Sequence, residues 1–374
     1  MRAYFDYNAS SVPLPEAREA VSRALAEGHG NPSSMHAEGR AARAIVERAR
    51  DQLASLLGVS SRRVVFTSGA TESNNTALRG FDATEADVTI VTTQIEHHSV
   101  LATATALESR GARVLRLAVD VDGQPDLEAL ERETRSGRCL VSVGLANGET
   151  GHVLDLHDLR TALAPGTVLH VDAAQAVGRI PLTLAGVDLL SLSAHKFGGP
   201  KGVGALVVPE TLAWPSLLTG GPQERALRAG TENVAGIAGM GAAAEACARR
   251  MAGEGTRLAS LRDDLWRRLS SALANVIRLT PIQGLPNTLT VAVADVASDV
   301  MVAGLDLAGF AVSAGSACAA GAIEPSHVVR ALRVGEGYRG GVVRISMGHA
   351  TTQSEVDGLA TAFIEVAGRA RKAA

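Results

Sequence analysis

The sequence predicts an α/β fold, a mainly parallel seven-stranded sheet with a smaller α+β domain attached. Three observations carry this. From about residue 63 to 208, apolar strand-like runs alternate with helical ones, the pattern of a parallel sheet covered on both faces. At 374 residues and 46% hydrophobic, the chain can bury a core large enough for a principal domain with a second one beside it. Beyond about residue 258 the alternation gives way to short apolar runs mixed with helices.

After a short N-terminal segment, Leu14–Glu27 reads as a helix, Gly28–Ser34 as a loop and His36–Leu57 as a longer helix. The seven strands are Arg63–Ser68, Val88–Thr93, Arg113–Val119, Cys139–Ala146, Thr167–Asp172, Leu189–Ser193 and Gly204–Val208. Amphipathic segments, Val100–Ser109, Leu127–Arg135 and Asp158–Ala164, lie between several of them. Val234–Arg250 reads as the last helix of this domain, and a separate helix, Leu258–Leu273, opens the next pattern, Val276–Thr280, Thr288–Val293, Phe310–Ser313 and Val342–Met347. The expected division is 13–258 for the large domain and 1–12 with 259–374 for the small one.

A net charge of -3 argues against nucleic acid or an anionic membrane as the main partner. No apolar run is long enough to cross a bilayer, and the first residues lack the features of a signal peptide, so a cytoplasmic protein is expected. Cys139, Cys247 and Cys318 are odd in number and far apart, which fits neither a disulfide framework nor a zinc site. Each is either core filler or a working thiol.

Lysine is scarce: Lys196, Lys201 and Lys372 stand against a Lys+Arg total of 36. A chain that uses arginine for plain positive charge keeps lysine where an amine must lose its proton and act as a nucleophile. Lys196 follows an apolar run and precedes a glycine-rich turn, as if a buried strand delivered it to a cavity. Other candidates fall at the carboxyl ends of neighbouring strands. In Ser68-Gly69-Ala70-Thr71 a helix starting near Thr71 would offer N–H groups and a hydroxyl to a phosphate, or Thr71 simply caps it. His97, Asn147, Asp172, Gln175, Ser193 and His195 follow at the same sheet edge, where open α/β sheets bind ligands. An amine, a buried carboxylate and a phosphate cradle together fit pyridoxal 5'-phosphate. A second cluster, Ser313–Ala322, consists of small side chains around Cys318, a setting in which a thiol can reach a bound substrate.

Over nearly the whole chain these motifs resemble the class V aminotransferase-like pyridoxal-phosphate enzymes, fold-type I, and specifically the cysteine desulfurases of the NifS/IscS kind. The likeness runs through Tyr4–Ala9, Gly30–Ser34, Thr67–Ser73, Glu96-His97, Val171–Gly178, Ser193–Gly204, Arg228–Val234, Ser313–Val328 and Arg344–Gly348. It implies that Lys196 is the Schiff-base lysine and Asp172 the partner of the pyridine nitrogen. Gln175 would sit near the phenolic oxygen, and His97 would stack on the ring and assist proton transfer. Ala70, Thr71, Ser193 and His195 would hold the phosphate. Thr231 would reach the phosphate of a neighbouring subunit, implying a homodimer. Arg344 would grip the substrate carboxylate, and Cys318 would take the sulfur of L-cysteine as a persulfide for an iron–sulfur scaffold or a thiolation enzyme.

Three positions depart from the family pattern. Gly148 replaces the usual second Asn of Asn-Asn-Glu, so either a hydrogen bond to the phenolic oxygen is missing or Asn147 supplies it. Gly220-Gly221-Pro222-Gln223-Glu224 and Ala9-Ser10-Ser11 replace Gly-Gly-Gly-Gln-Glu and Ala-Thr-Thr. A selenocysteine lyase, a related lyase or transaminase, and a catalytically weak paralogue kept as a binding subunit stay open beside the desulfurase.

Overall fold

A computed structural model describes residues 2–81, 88–135, 137–210, 214–314 and 325–373. Its elements in chain order are β1 (Ala3–Tyr4), α1 (Pro15–Glu27), α2 (Ala37–Leu57), β2 (Val64–Thr67), α3 (Ala70–Gly80), β3 (Val88–Thr93), α4 (His98–Glu108), β4 (Arg113–Leu117), α5 (Leu127–Thr134), β5 (Arg138–Gly144), α6 (Leu156–Ala162), β6 (Val168–Asp172), β7 (Leu189–Ser193) and β8 (Gly204–Val207). There follow α7 (Val234–Ala272), β9 (Val276–Arg278), β10 (Thr288–Val293), α8 (Ser298–Leu307), β11 (Phe310–Ala311), α9 (His327–Ala331), α10 (Glu336–Arg339), β12 (Val342–Ser346) and α11 (Gln353–Ala373).

The large sheet has the order β2-β8-β7-β6-β5-β3-β4. Its pairs from β7 through β4 are parallel, and β8 runs antiparallel to both neighbours, β7 and β2. Strands β2, β3, β6 and β7 read as near-continuous apolar or small-residue runs because both faces of the sheet are covered. On one face Val46, Leu53 and Leu57 of α2 and Ile237 and Met240 of α7 pack against Val141, Leu169 and Leu190. On the other, Ala77 and Leu78 of α3 and Val100 and Ala104 of α4 cover Val65, Ile90 and Leu206. Residues at 3.6-residue spacing on α2 form its buried stripe, and Gly58 ends the helix in the left-handed region at φ 65°, where a Cβ would be strained.

The three-stranded sheet β12-β10-β9 is antiparallel. It shares a separate core with α8 and α11, built around Phe5, Leu265, Leu289, Met301, Ile345 and Phe363. The N-terminal strand β1 pairs in parallel with β11, which ties the first residues to this second core.

The two helices expected at Val234–Arg250 and Leu258–Leu273 are one helix of 39 residues. Nothing in Met251–Arg257 is a proline, and glycine costs a helix interior only about 1 kcal/mol per residue. Glu254 and Arg257 also pair at 2.6 Å across one turn. The first half of α7 packs on the large sheet and the second half, through Leu258, Leu261, Leu265 and Leu269, on the smaller core. No helix among the described residues is long and apolar enough to cross a membrane.

Candidate active site

A cavity of about 590 Å³ opens at the carboxyl edge of the large sheet. Six strands run the same way, so the residues after β2, β3, β5, β6 and β7 meet there. Ala70, Thr71, His97, Asn147 and Asp172 line it, as do Gln175, Ser193, His195, Lys196 and Arg344. Thr231 is exposed and does not line it, and Cys318 lies outside the described residues. A wider depression of about 950 Å³ shares only His152 with this cavity and contains none of the expected site residues.

Lys196 sits just past β7 in a short 3-10 turn, Ala194–Lys196. Its amine donates to the backbone oxygens of Asn8 at 2.7 Å and Ala9 at 3.2 Å, and among the described residues its hydrogen bonds join it to no carboxylate. Burial, and next the charges of Arg179 and Arg344, bring its pKa down to about 8, while Asp172 and Asp6 oppose the shift. Arg179 is half-buried and has no carboxylate partner among the described residues. It donates to Asn8 Oδ1 at 2.8 Å, Tyr7 O at 3.1 Å, Lys196 O at 2.9 Å and the Gln175 side-chain oxygen. Burial pushes this guanidinium down to about 9.

Asp172 ends β6, its Oδ1 accepting from Ala174 N at 2.9 Å and its Oδ2 from Asn74 Nδ2 at 2.7 Å. Glu96, fully buried beside it, is pushed up to about 8 by desolvation, with the Asp172 charge adding to the effect. Gly144 leaves room for that carboxyl: a Cβ there would come within 2.9 Å of Glu96 Oε2 and force it to shift.

Helix α3 starts at Ala70, one residue earlier than expected, and its N-cap is Gly69, so Thr71 lies inside the first turn and is not the cap. Gly69 has φ 155° and no side chain to bond the free N–H groups, which therefore remain available to an anion. Gly204, which starts β8, packs so closely on Gly69 that a Cβ would lie 2.5 Å from its Cα. His195 Nδ1 lies 3.2 Å from Ser10 Oγ, and Ser11 Oγ donates to Lys196 O at 2.7 Å. The Ala9-Ser10-Ser11 departure therefore keeps two hydroxyls in use.

Asn147 divides its side chain between its own turn and the loop after β3. Its Oδ1 accepts from Glu149 N at 2.8 Å and Thr150 N at 3.0 Å, and its Nδ2 donates to Ile95 O at 3.0 Å. Gly148 has a steric reason: a Cβ there would lie 2.5 Å from Gln175 Nε2. Its carbonyl accepts from Asn8 Nδ2 at 3.0 Å and Arg344 Nη1 at 3.1 Å.

Arg344, on β12, is 3% exposed and pairs through Nη2 with Asp6 at 2.7 Å. Its Nε is buried with no acceptor among the described residues, so one directed N–H is left for an incoming anion. Asp6, Asn8, Asn74, Ser99 and Arg179 escaped the sequence reading. Only Tyr4–Ala9 gave a signal for two of them, and that was a motif without assigned roles.

An uncapped helix start, a desolvated amine, a carboxylate on the central strand and an unsatisfied guanidinium N–H fit pyridoxal 5'-phosphate with an amino acid beside it. The seven-stranded sheet and this donor set define a pyridoxal-phosphate enzyme of fold-type I. Residues 3–359 match the family model described as aminotransferase class-V, and the chain belongs to that family. It is 42% identical to a cysteine desulfurase of Cereibacter sphaeroides over 367 residues, 96% of this chain and 94% of that protein. It is 40% identical to the cysteine desulfurase IscS of Dictyoglomus turgidum, over 95% of this chain and 91% of that one. The solved structure of a NifS-like protein superposes with a TM-score of 0.93 at 35% identity, covering 99% of this chain and 100% of that chain.

Proposed function

We propose that this chain is a pyridoxal-phosphate-dependent cysteine desulfurase that converts L-cysteine to L-alanine and passes the sulfur to Cys318 as a persulfide. The observation that carries the reading is the juxtaposition of the half-buried Lys196 amine, its pKa near 8, with Asp172 and Arg344 around one cavity. The desulfurases named above support it at 40–42% identity over almost the full chain.

When bound, the cofactor supplies an aldehyde that condenses with amines and a ring that withdraws the electron pair left by a departing proton. Asp172 is assigned to keep the ring nitrogen protonated, and Gln175 to donate to the phenolic oxygen. The N–H groups at Ala70 and Thr71 would hold the phosphate together with Ser193 and His195. His97 is assigned to the ring face. Arg344 would turn its fork toward the substrate carboxylate, with the free Nε as first donor. Lys196, neutral in part at physiological pH, moves the α-proton. Cys318 then accepts the sulfur: the Cβ–S bond of cysteine breaks, an S–S bond forms, and the carbon fragment keeps the electron pair, takes a proton and leaves as alanine.

The exposure of Thr231 supports a role in a second copy's site, hence a homodimer with shared sites. A scaffold for iron–sulfur assembly or a thiolation enzyme is the acceptor class that fits a persulfide product. A cytoplasmic location, where thiols stay reduced, suits a working cysteine. The two buried cores on either half of α7 support the division at about residue 258. The test is to add L-cysteine to the loaded protein and measure alanine and sulfide, with Cys318→Ala as control. Full activity of Cys318→Ala would sink the persulfide step.

A further inference from the structure

Asp172, Asn74, Ser99 and His97 form one hydrogen-bonded chain. Asn74 is fully buried, and its Nδ2 donates to Asp172 Oδ2 at 2.7 Å and to Ser99 Oγ at 2.8 Å. Its Oδ1 is buried with no partner among the described residues. Turning the amide over would set that oxygen against the Asp172 carboxylate, two acceptors face to face, so the carboxylate fixes which way Asn74 points. The Ser99 hydroxyl oxygen thus accepts a hydrogen bond from Asn74, and its own O–H donates to His97 Nδ1, 2.7 Å away. The same Nδ1 accepts from Ser99 N–H at 3.1 Å, a backbone group that can only donate. An Nδ1 that accepts carries no proton, and Nε2 is the ring nitrogen left for the cavity that His97 lines.

We propose that Asn74 and Ser99 are positioning residues that fix His97 as the Nε2–H tautomer, so that the imidazole offers the cavity a hydrogen-bond donor and not a base. The role toward bound substrate or cofactor rests on the desulfurase reading, whereas the tautomer does not. Burial disfavours the imidazolium. Asp172 works the other way, and the nearby Lys196, His98 and His327 add to the burial effect. Lys196 is left as the base, and His97 takes part through the hydrogen bond that its Nε2–H donates.

The test is two-bond proton–nitrogen correlation on cofactor-free protein carrying 15N-histidine, with His97 assigned by its loss in His97→Gln. The expected spectrum has a protonated Nε2 and an unprotonated Nδ1 for His97. Ser99→Ala removes one of two donors to Nδ1 and raises the Nδ1–H population about fivefold, the equivalent of one hydrogen bond. Asn74→Leu shifts it in the same direction, and Ser99→Thr, which keeps the hydroxyl, restores the original ratio. A protonated Nδ1 in the unsubstituted protein, or a ratio unmoved in both Ser99→Ala and Asn74→Leu, overturns the proposal. Failure of the desulfurase reading is a separate result, no alanine from L-cysteine with the tautomer pattern intact.

Discussion

The Lys196 amine rests 2.7 Å from the backbone oxygen of Asn8, and that same oxygen accepts from Gln175 Nε2 at 3.1 Å. One carbonyl in the N-terminal segment therefore parks both the amine and the amide assigned to the cofactor. Neither contact neutralises the ammonium, and Arg179, bonded to the side chains of Asn8 and Gln175, adds a second positive charge beside it.

The neutral amine is the nucleophile, so protonation sets the pH profile of cofactor loading. With a pKa of about 8, loading of the cofactor-free protein should rise about tenfold per pH unit below 8 and level off above it. Arg179→Met removes a charge that lowers the pKa and should move the midpoint up by about one unit. Arg179→Lys should leave it near its original value. Stopped-flow absorbance during addition of pyridoxal 5'-phosphate reads both.

Arg344→Lys keeps a charge but loses the planar fork and the free Nε. Its KM for L-cysteine should rise more than its kcat falls. A lost charge-assisted bond of about 1.5–3 kcal/mol corresponds to roughly a 10- to 150-fold drop in kcat/KM. Steady-state kinetics check this, with an unchanged melting temperature excluding a folding defect.

Glu224, Arg225 and Ala226 all have positive φ, at 47°, 58° and 61°, an arrangement that costs non-glycine residues about 1–2 kcal/mol each. What holds them is a buried fork: Arg50 reaches Glu224 at 2.8 and 2.7 Å, and Phe66 N donates to the same carboxylate at 2.8 Å. Glu224→Gln breaks the charged fork and leaves Arg50 with the single contact of its Nε to Glu47 at 3.2 Å as its carboxylate pairing among the described residues, so unfolding free energy should fall by about 1–3 kcal/mol in urea melts.

Gly148→Asn places atoms where Gln175 Nε2 now sits. Gln175 must swing away from Asn8, so the variant should lose roughly 1–3 kcal/mol of stability. The pH dependence of its cofactor absorbance should shift as well, read by spectrophotometric titration. A variant as stable as the parent, with an unshifted titration, would show that the family's usual Asn fits here without cost.

Much of this was legible in the sequence. Lys196, Asp172, Ser193 and His195 stand at the ends of apolar runs, so their strands announced where they would meet. The start of α3 lies one residue before the expected one because a glycine N-cap leaves no side-chain signature. The continuity of α7 was hidden because Gly253 and Gly255 look like a break, and nothing local reveals that two cores will hold each half. Asn8, Asn74 and Arg179 act through partners 167 to 188 residues away or across the sheet, contacts that exist only once the chain is folded.

The central claim, sulfur transfer to one thiol, is tested most directly by mass spectrometry of the loaded protein after brief exposure to L-cysteine. The account predicts a single added sulfur atom on the peptide that contains Cys318, removable by a reducing agent and absent in Lys196→Ala. Alanine production with no adduct at Cys318, or an adduct on Cys139 or Cys247 instead, would contradict it.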